Sequence, residues 1–134
     1  LHTHAIMDWE YDCRVRKNTF CRLFKTKENA IYALKVIVWL AYINVIFYTM
    51  TGFLHPNTLY TLITLPIAVE LFKSIKDYIY IKDVKFIPRF WMGPMEDWEN
   101  IKKTHMEFFM YRFYLARNLC FLFCIIAGIA CYLK

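Results

Sequence analysis

Two carboxylates near the start of the chain have the spacing and surroundings of a site for a metal ion and a diphosphate. Asp8 and Asp12 are four residues apart, which on a helix puts their β-carbons on one face, about 6 Å apart. Like charges this close favour a cation between them, and Mg²⁺ typically binds one or two carboxylates together with substrate phosphates. The next basic residues, Arg14, Arg16 and Lys17, are of the kind that binds phosphate oxygens. The spacing alone also fits a solvated acidic face.

The elements that must position this segment are membrane helices. Hydrophobic residues make up 59% of the chain, against roughly 45–50% in a soluble domain. From Val36 to Val69 there is no Asp, Glu, Lys or Arg. This run is too long for one bilayer crossing, which takes about 20 residues. It is the right length for a helical hairpin that turns near residues 52–57.

The sequence therefore predicts an all-α, polytopic transmembrane bundle with three membrane helices. Residues 1–29 are interpreted as an aspartate motif followed by an amphipathic cap, and residues 30–134 as the membrane part. Asn57 is expected to cap the second crossing, and Pro66 to kink it. The crossings are expected at about 30–52, 57–76 and 108–133, with a polar interfacial connection over 77–107.

The basic residues indicate the orientation of this bundle. The net charge is +6, and Lys and Arg are concentrated before the first crossing and between the second and third, with none in the turn near Pro56. Cytoplasmic loops are enriched in these residues. We therefore expect an integral protein of the inner or plasma membrane whose aspartate motif faces the cytoplasm. The separation of the basic residues into two segments argues against nucleic-acid binding.

Polar residues within the third crossing and at the N-terminus suggest a cavity. Arg117 and Asn118 lie about two turns into the third apolar run, and a charge at that depth usually faces a bundle interior or a wet cavity. We expect both to line a substrate cavity, with interfacial placement as the alternative. His2 and His4 are interpreted as cavity-lining or capping residues. The five cysteines form no C-x-x-C pair and are expected to be inert small hydrophobes.

Two motifs resemble those of the UbiA-type intramembrane prenyltransferases. Asp8-x-x-x-Asp12 followed by Lys17-Asn18-Thr19 is similar to the second aspartate-rich motif of the members that prenylate dihydroxynaphthoate. The run Leu62-Ile63-Thr64-Leu65-Pro66-Ile67-Ala68 is similar to the leucine-proline helix that those members carry after it. Arg16 and Phe20 stand where the family usually has Gly and Leu. The resemblance extends over nearly the whole chain.

The resemblance implies a fold, a cofactor and roles for individual residues. The chain would be the C-terminal part of a nine-helix fold and would work together with the N-terminal remainder of the same enzyme. Asp8 and Asp12 would bind Mg²⁺ on a polyprenyl diphosphate, and Lys17 would contact the diphosphate, with Arg14 and Arg16 as further candidate contacts. The implied reaction transfers the polyprenyl group to an aromatic acceptor within the bilayer, as in menaquinone-type quinone biosynthesis.

A different class of function also fits the composition. A small membrane subunit without catalytic activity, which anchors or braces a larger complex, would have the same short length and high aromatic content. The upstream sequence would distinguish the two, because the enzyme requires about six further helices and another aspartate-rich motif.

Overall fold

The structure, a computed structural model, describes residues 2–80 and 86–133, with the side chains of residues 78–80 excluded. All regular structure in these ranges is helical. The α-helices are α1 His2–Met7, α2 Trp9–Arg14, α3 Lys27–Met50, α4 Leu65–Tyr80, α5 Trp98–Lys103 and α6 Glu107–Tyr132. Three 3-10 helices cover Phe20–Phe24, Pro56–Thr64 and Phe90–Met92.

Three helical stretches are long and apolar enough to cross a membrane, as the sequence predicted. They are Lys27–Met50, Pro56–Asp77 and Glu107–Tyr132. The Asn57 side-chain amide donates to the Leu133 carbonyl (3.3 Å), so the turn after the first crossing and the end of the third lie together. The N-terminal helices and the 86–106 connection lie at the opposite end of the bundle. Residues 81–85 of the predicted connection are outside the described residues.

The first crossing begins and ends earlier than expected because of local capping. Thr26 has extended backbone geometry, and its hydroxyl accepts from the Asn29 amide (3.2 Å), which satisfies one of the free N–H groups of the first turn. Helix α3 therefore starts at Lys27 rather than near residue 30. It ends at Met50, and Gly52 follows with φ +79, the left-handed geometry that glycine commonly provides after a helix.

The second crossing opens with a threonine ladder rather than an α-helix. Thr58, Thr61 and Thr64 are buried at every third position, and each hydroxyl donates to the carbonyl three residues earlier, at 2.7–2.8 Å. In a 3-10 helix residues i and i+3 eclipse each other, so the ladder presents one polar face. His55, not Asn57, occupies the N-cap, and its ring accepts from the Asn57 amide (3.3 Å).

The threonine ladder packs its polar face against α3. The Tyr42 hydroxyl lies 2.7 Å from the Thr64 hydroxyl, and the Thr49 hydroxyl lies 2.9 Å from that of Thr58. Helix α4 then starts at Leu65, so Pro66 falls in its first turn, where a missing N–H breaks no helical hydrogen bond. The irregularity expected at Pro66 is therefore a change of helix type just before it.

Polar side chains at the other end of α4 fasten it to α6. The Tyr111 hydroxyl donates to the Glu70 carboxylate (3.0 Å). Arg112 is buried, and its Nε donates to the Ser74 carbonyl (2.7 Å), while the guanidinium also contacts the Phe108 carbonyl and lies over the Phe86 ring. A guanidinium can be buried in this way because carbonyl oxygens and an aromatic face replace the water it has lost.

Candidate functional site

The segment that carries the aspartates is fixed to both α3 and α6. The His2 Nε2 atom donates to the Ala30 carbonyl (2.9 Å), at the first turn of α3. The His4 ring packs edge-on against Phe109 of α6, with centroids 5.0 Å apart. Ile6 of the same helix is fully buried. These contacts hold α1 against the end of the membrane bundle.

Asp8 and Asp12 belong to successive helical turns. The Asp8 amide donates to the His4 carbonyl (3.0 Å) and the Asp12 amide to the Asp8 carbonyl (2.8 Å), so the helical pattern continues from α1 into α2. One Asp8 oxygen also lies 3.1 Å from His4 Nε2. Asp8 is therefore already held by a neighbouring imidazole, a contact that the sequence analysis did not anticipate.

Asp12 is in a different environment from Asp8. Only 3% of its surface is exposed, whereas the Asp8 side chain is 40% exposed. Its backbone carbonyl accepts from the Lys17 amide (2.9 Å), but its carboxylate has no hydrogen bond or ion pair with the described residues. Burying an ionised carboxylate without a partner is costly. Asp12 is thus a mostly buried residue whose carboxylate pairs with no cation or donor within the described ranges but is not fully enclosed.

Asp12 lies next to a cysteine–histidine pair that the sequence analysis missed. Cys21 is fully buried, and its sulfur lies 3.2 Å from His2 Nδ1. The Cys21 sulfur also lies 3.4 Å from the His2 carbonyl oxygen, so the histidine backbone and ring both contact the thiol. Burial, together with the nearby Asp12 carboxylate, raises the pKa of Cys21 to about 11. The thiol is neutral at physiological pH, consistent with the expected inertness of this cysteine.

The basic residues after the aspartates are exposed. Arg14, Arg16 and Lys17 all lie on the surface, and their side chains make no hydrogen bond or ion pair with any part of the chain that the structure describes. Arg16 has φ +52, which ends the helical turn after α2. The three cations are therefore available to a ligand, and Asp12 faces the interior a few residues away.

A large apolar cavity adjoins the aspartate segment. It has a volume of about 650 Å³ and runs between α1 and α6, from Thr3, His4 and Met7 to Phe121 and Cys124. His4 therefore links Asp8, whose carboxylate it contacts, to the cavity wall. A second cavity of about 370 Å³ shares Thr3 and Cys124 with the first and is lined by His2 and α3. Their walls suit an apolar chain, with the polar groups at the α1 end.

Arg117 and Asn118, which were expected to line the cavity together, do different things. Arg117 does line the 650 Å³ cavity, and its guanidinium donates to the Pro94 carbonyl (2.8 Å). Asn118 is not among the lining residues. Its amide donates to the carbonyls of Met92 and Pro94, both at 2.9 Å, and so fastens the connection to α6. Gly93 between those carbonyls makes this close approach possible.

The protein ligands available near Asp8 and Asp12 decide whether a metal ion can bind there. No group of three or more His, Cys, Asp or Glu that could hold a metal occurs in residues 2–80 and 86–133. Mg²⁺ on a diphosphate needs fewer protein ligands, because phosphate oxygens supply the others. Asp12, buried without a side-chain partner, and Asp8, one helical turn away, fit that smaller requirement.

Comparison with known proteins does not identify the chain. No protein-family model, no curated protein and no solved structure matches it.

Proposed function

We propose that this chain is the membrane-embedded C-terminal part of a Mg²⁺-dependent prenyltransferase, which transfers a polyprenyl group from its diphosphate to an aromatic acceptor. The acceptor favoured by the motifs is a menaquinone-type naphthoate. In the proposed arrangement the site faces the cytoplasm and works together with an N-terminal remainder of the same enzyme. The polyprenyl chain lies in the bilayer or in the cavity beside α6.

The buried Asp12 carboxylate is the observation that supports this proposal most directly. With 3% of its surface exposed and no side-chain partner in the described ranges, this carboxylate would be stabilised by a bound cation. It stands one helical turn from Asp8, and exposed cations follow it. Binding a lipid diphosphate requires carboxylates for the metal, cationic side chains for the phosphates and an apolar space for the lipid chain. The chain has all three, with a cavity of about 650 Å³ as the apolar space.

The chain's own residues have separate tasks in this mechanism. Asp8 and Asp12 would hold Mg²⁺, which when bound neutralises diphosphate charge and assists its departure. His4 holds Asp8 in place at 3.1 Å. Lys17, with Arg14 and Arg16, binds the diphosphate oxygens that the metal leaves free.

The reaction exchanges one bond for another beside the cavity. The allylic C–O bond breaks, and its electron pair leaves with the diphosphate. A ring carbon of the acceptor forms the new C–C bond, and the ring proton at that carbon is lost. The apolar walls exclude water from the reacting carbon, which protects it from hydrolysis.

The test uses Asp8→Asn and Asp12→Asn in the full-length protein. Prenyl transfer from a radiolabelled polyprenyl diphosphate to a series of ring acceptors is measured in membranes. Each variant is expected to lose activity by about 10²-fold or more, because metal stabilisation of the departing charge is worth several kcal/mol. Binding of Mn²⁺ with diphosphate, followed by electron paramagnetic resonance, should weaken in parallel.

Glu10→Gln is the matched control. It removes a carboxylate from the same short helix, but Glu10 is 73% exposed and pairs with Lys27 at 2.7 Å. Activity and Mn²⁺ binding should stay within about twofold of the unsubstituted protein, since a surface ion pair contributes little. Unchanged transfer in both aspartate variants would refute the assignment.

The alternative is a membrane subunit that anchors a larger complex without catalysis. Its support is the high aromatic content of the chain, 19% of the residues. In that case neither the unsubstituted protein nor the aspartate variants would bind Mn²⁺ detectably. The full-length protein would show no prenyl transfer to any ring acceptor.

A further inference from the structure

A small polar cavity lies between α4, α6 and the beginning of the described connection. Its volume is about 160 Å³, whereas pockets for drug-sized ligands start at roughly 300 Å³. Its walls are mostly polar, in contrast to the two larger, apolar cavities. The polar cavity therefore suits a small charged group. Its polar lining residues are Glu70, Lys73, Ser74, Asp77, Arg89 and Tyr111.

The polar cavity is separate from the apolar cavity beside the aspartates. Phe109 and Phe113 of α6 line the 650 Å³ cavity, whereas Tyr111 lines the polar cavity. Successive residues of an α-helix are about 100° apart, so Tyr111 lies on nearly the opposite side of α6 from both phenylalanines. A ligand in the polar cavity is thus distinct from the proposed diphosphate substrate, and its binding does not depend on the proposed function.

Two carboxylates and two cations line the polar cavity without pairing. Glu70, Lys73 and Asp77 follow one another on α4 at three- and four-residue spacing, at which ion pairs commonly form. Arg89 comes from the connection. None of these four side chains forms an ion pair with another residue that the structure describes. The cavity therefore presents charges of both signs that a ligand can neutralise.

Buried side chains form the base of the polar cavity and fix part of its charge. Tyr111 is buried, and its hydroxyl donates to one oxygen of Glu70 (3.0 Å). Ser74 is also buried, and its backbone carbonyl accepts from Nε of Arg112 (2.7 Å). These bonds hold the Glu70 carboxylate and the α4 backbone in place before any ligand binds, which lowers the ordering cost of binding.

The lining charges and the position of the cavity select the class of ligand. A simple anion would be repelled by Glu70 and Asp77, and a metal cation by Lys73 and Arg89. A zwitterion can interact favourably with all four, and a guanidinium suits phosphate oxygens. The membrane-spanning stretch that includes most of α4 ends at Asp77, so the cavity lies where a bilayer has its polar headgroups.

We propose that the polar cavity binds a phosphoethanolamine group, as presented by the headgroup of phosphatidylethanolamine. Lys73 and Arg89 bind the phosphate oxygens, and the ammonium group donates to the carboxylates of Glu70 and Asp77. A primary ammonium has three N–H donors, whereas the trimethylated ammonium of phosphatidylcholine has none. The cavity should therefore distinguish these two lipids, which have the same net charge.

The test compares the two lipids, each spin-labelled on an acyl chain, in vesicles that contain the full chain. Electron paramagnetic resonance separates lipid held by the protein from lipid in the bulk bilayer and gives the ratio of the two association constants. Phosphatidylethanolamine should associate about 3- to 10-fold more strongly than phosphatidylcholine, as two partly exposed ion pairs allow. Asp77→Asn combined with Glu70→Gln should bring this ratio to about one. Equal association of both lipids with the unsubstituted chain would overturn the proposal.

Glu99→Gln and Lys102→Gln are the matched controls. They remove one charge of each sign from α5, where Glu99 and Lys102 pair with each other at 2.9 Å outside the polar cavity. Both should leave the ratio of association constants unchanged. A preference that survives the double carboxylate substitution, or that the controls abolish as well, would also overturn the proposal.

Soluble glycerophosphoethanolamine distinguishes the two sources of the group. If it displaces the labelled phosphatidylethanolamine, the headgroup alone is sufficient for binding. If it does not, while the preference over phosphatidylcholine is present, the ligand is the membrane lipid. Either result supports the site, because both require the ethanolamine preference and its loss in the carboxylate variant.

Discussion

Replacing Gly93 by Ala should disrupt the attachment of the 86–106 connection to α6. A β-carbon at Gly93 would lie 2.9 Å from the side-chain nitrogen of Asn118 and 3.0–3.1 Å from its carbons. Asn118 has no room to move without losing its hydrogen bonds, because the same nitrogen donates to Met92 and Pro94 at 2.9 Å. Position 93 thus requires glycine for two reasons, its positive φ and the closeness of the Asn118 side chain.

The expected loss of stability has two parts. Gly93 has φ +83 and ψ 178, a region essentially restricted to glycine, which costs another residue about 1–3 kcal/mol. The two hydrogen bonds that the Asn118 amide donates, one buried and one partly buried, contribute about 1 kcal/mol each. Gly93→Ala should therefore lower the free energy of unfolding by about 3–5 kcal/mol.

The chain's other two glycines are natural controls. Gly52 has φ +79, but a β-carbon there meets no atom within 4 Å, so Gly52→Ala should cost only about 1–2 kcal/mol. Gly128 is helical with open space, and its replacement by Ala should be neutral or stabilising by up to about 1 kcal/mol. The measurement is unfolding in detergent micelles by titration with dodecyl sulfate, followed by tryptophan fluorescence.

A double-mutant cycle with Asn118→Ala separates the contact from the backbone conformation. In that background there is no amide to displace and only the 3.1 Å contact with the β-carbon of residue 118 remains, so Gly93→Ala should cost little more than the conformational part. A coupling energy of about 2 kcal/mol is expected between the two positions. A coupling energy near zero, or a Gly93→Ala cost no larger than that of Gly52→Ala, would refute the reasoning.

Three further predictions concern other contacts. Tyr42→Phe should lower the free energy of unfolding by about 0.5–2 kcal/mol through loss of its bond to Thr64, and a cycle with Thr64→Val that shows no coupling would contradict this. Thr26→Ala should cost about 1 kcal/mol and increase amide hydrogen exchange at Asn29; unchanged exchange there would argue against the cap. Burial raises the pKa of Cys21 from 9.0 to about 11, so the unfolded chain loses this proton first as the pH rises. The stability difference between the unsubstituted protein and Cys21→Ala should be constant below pH 9 and fall between about pH 9 and pH 11, by at most about 3 kcal/mol; a flat difference would contradict the shift.

The number and type of membrane helices could be predicted because they depend on length and composition alone. A run of 34 residues without Asp, Glu, Lys or Arg between Val36 and Val69 allows little besides a helical hairpin. The threonine ladder was not predicted, although its signal was present. Threonines at 58, 61 and 64 recur every three residues, which fits a 3-10 helix, whereas Pro66 by itself predicted a kink.

Less of the candidate site could be predicted, because it depends on tertiary contacts. The spacing of Asp8 and Asp12 predicted a shared helical face, and the backbone between them is helical. The His4–Asp8 contact also has a four-residue spacing and was available from the sequence, whereas the proximity of Cys21 to Asp12 was not. That proximity comes from how the Phe20–Phe24 helix packs on α1, where Cys21 contacts His2, and no local pattern encodes it.

The position of the candidate site depends on polar contacts that the second crossing makes with α3 and α6. The threonine ladder bonds α3 through Tyr42, and further along the same crossing Glu70 accepts from Tyr111 of α6. The N-terminal segment rests on these two helices, on α3 through His2 and on α6 through His4. The relative position of α3 and α6, and hence the shape of the cavity at the aspartates, therefore depends on hydrogen bonds to an element that carries none of the proposed ligands. Substitutions in the threonine ladder should therefore change the shape of the cavity at the aspartates, although the ladder carries none of the proposed ligands.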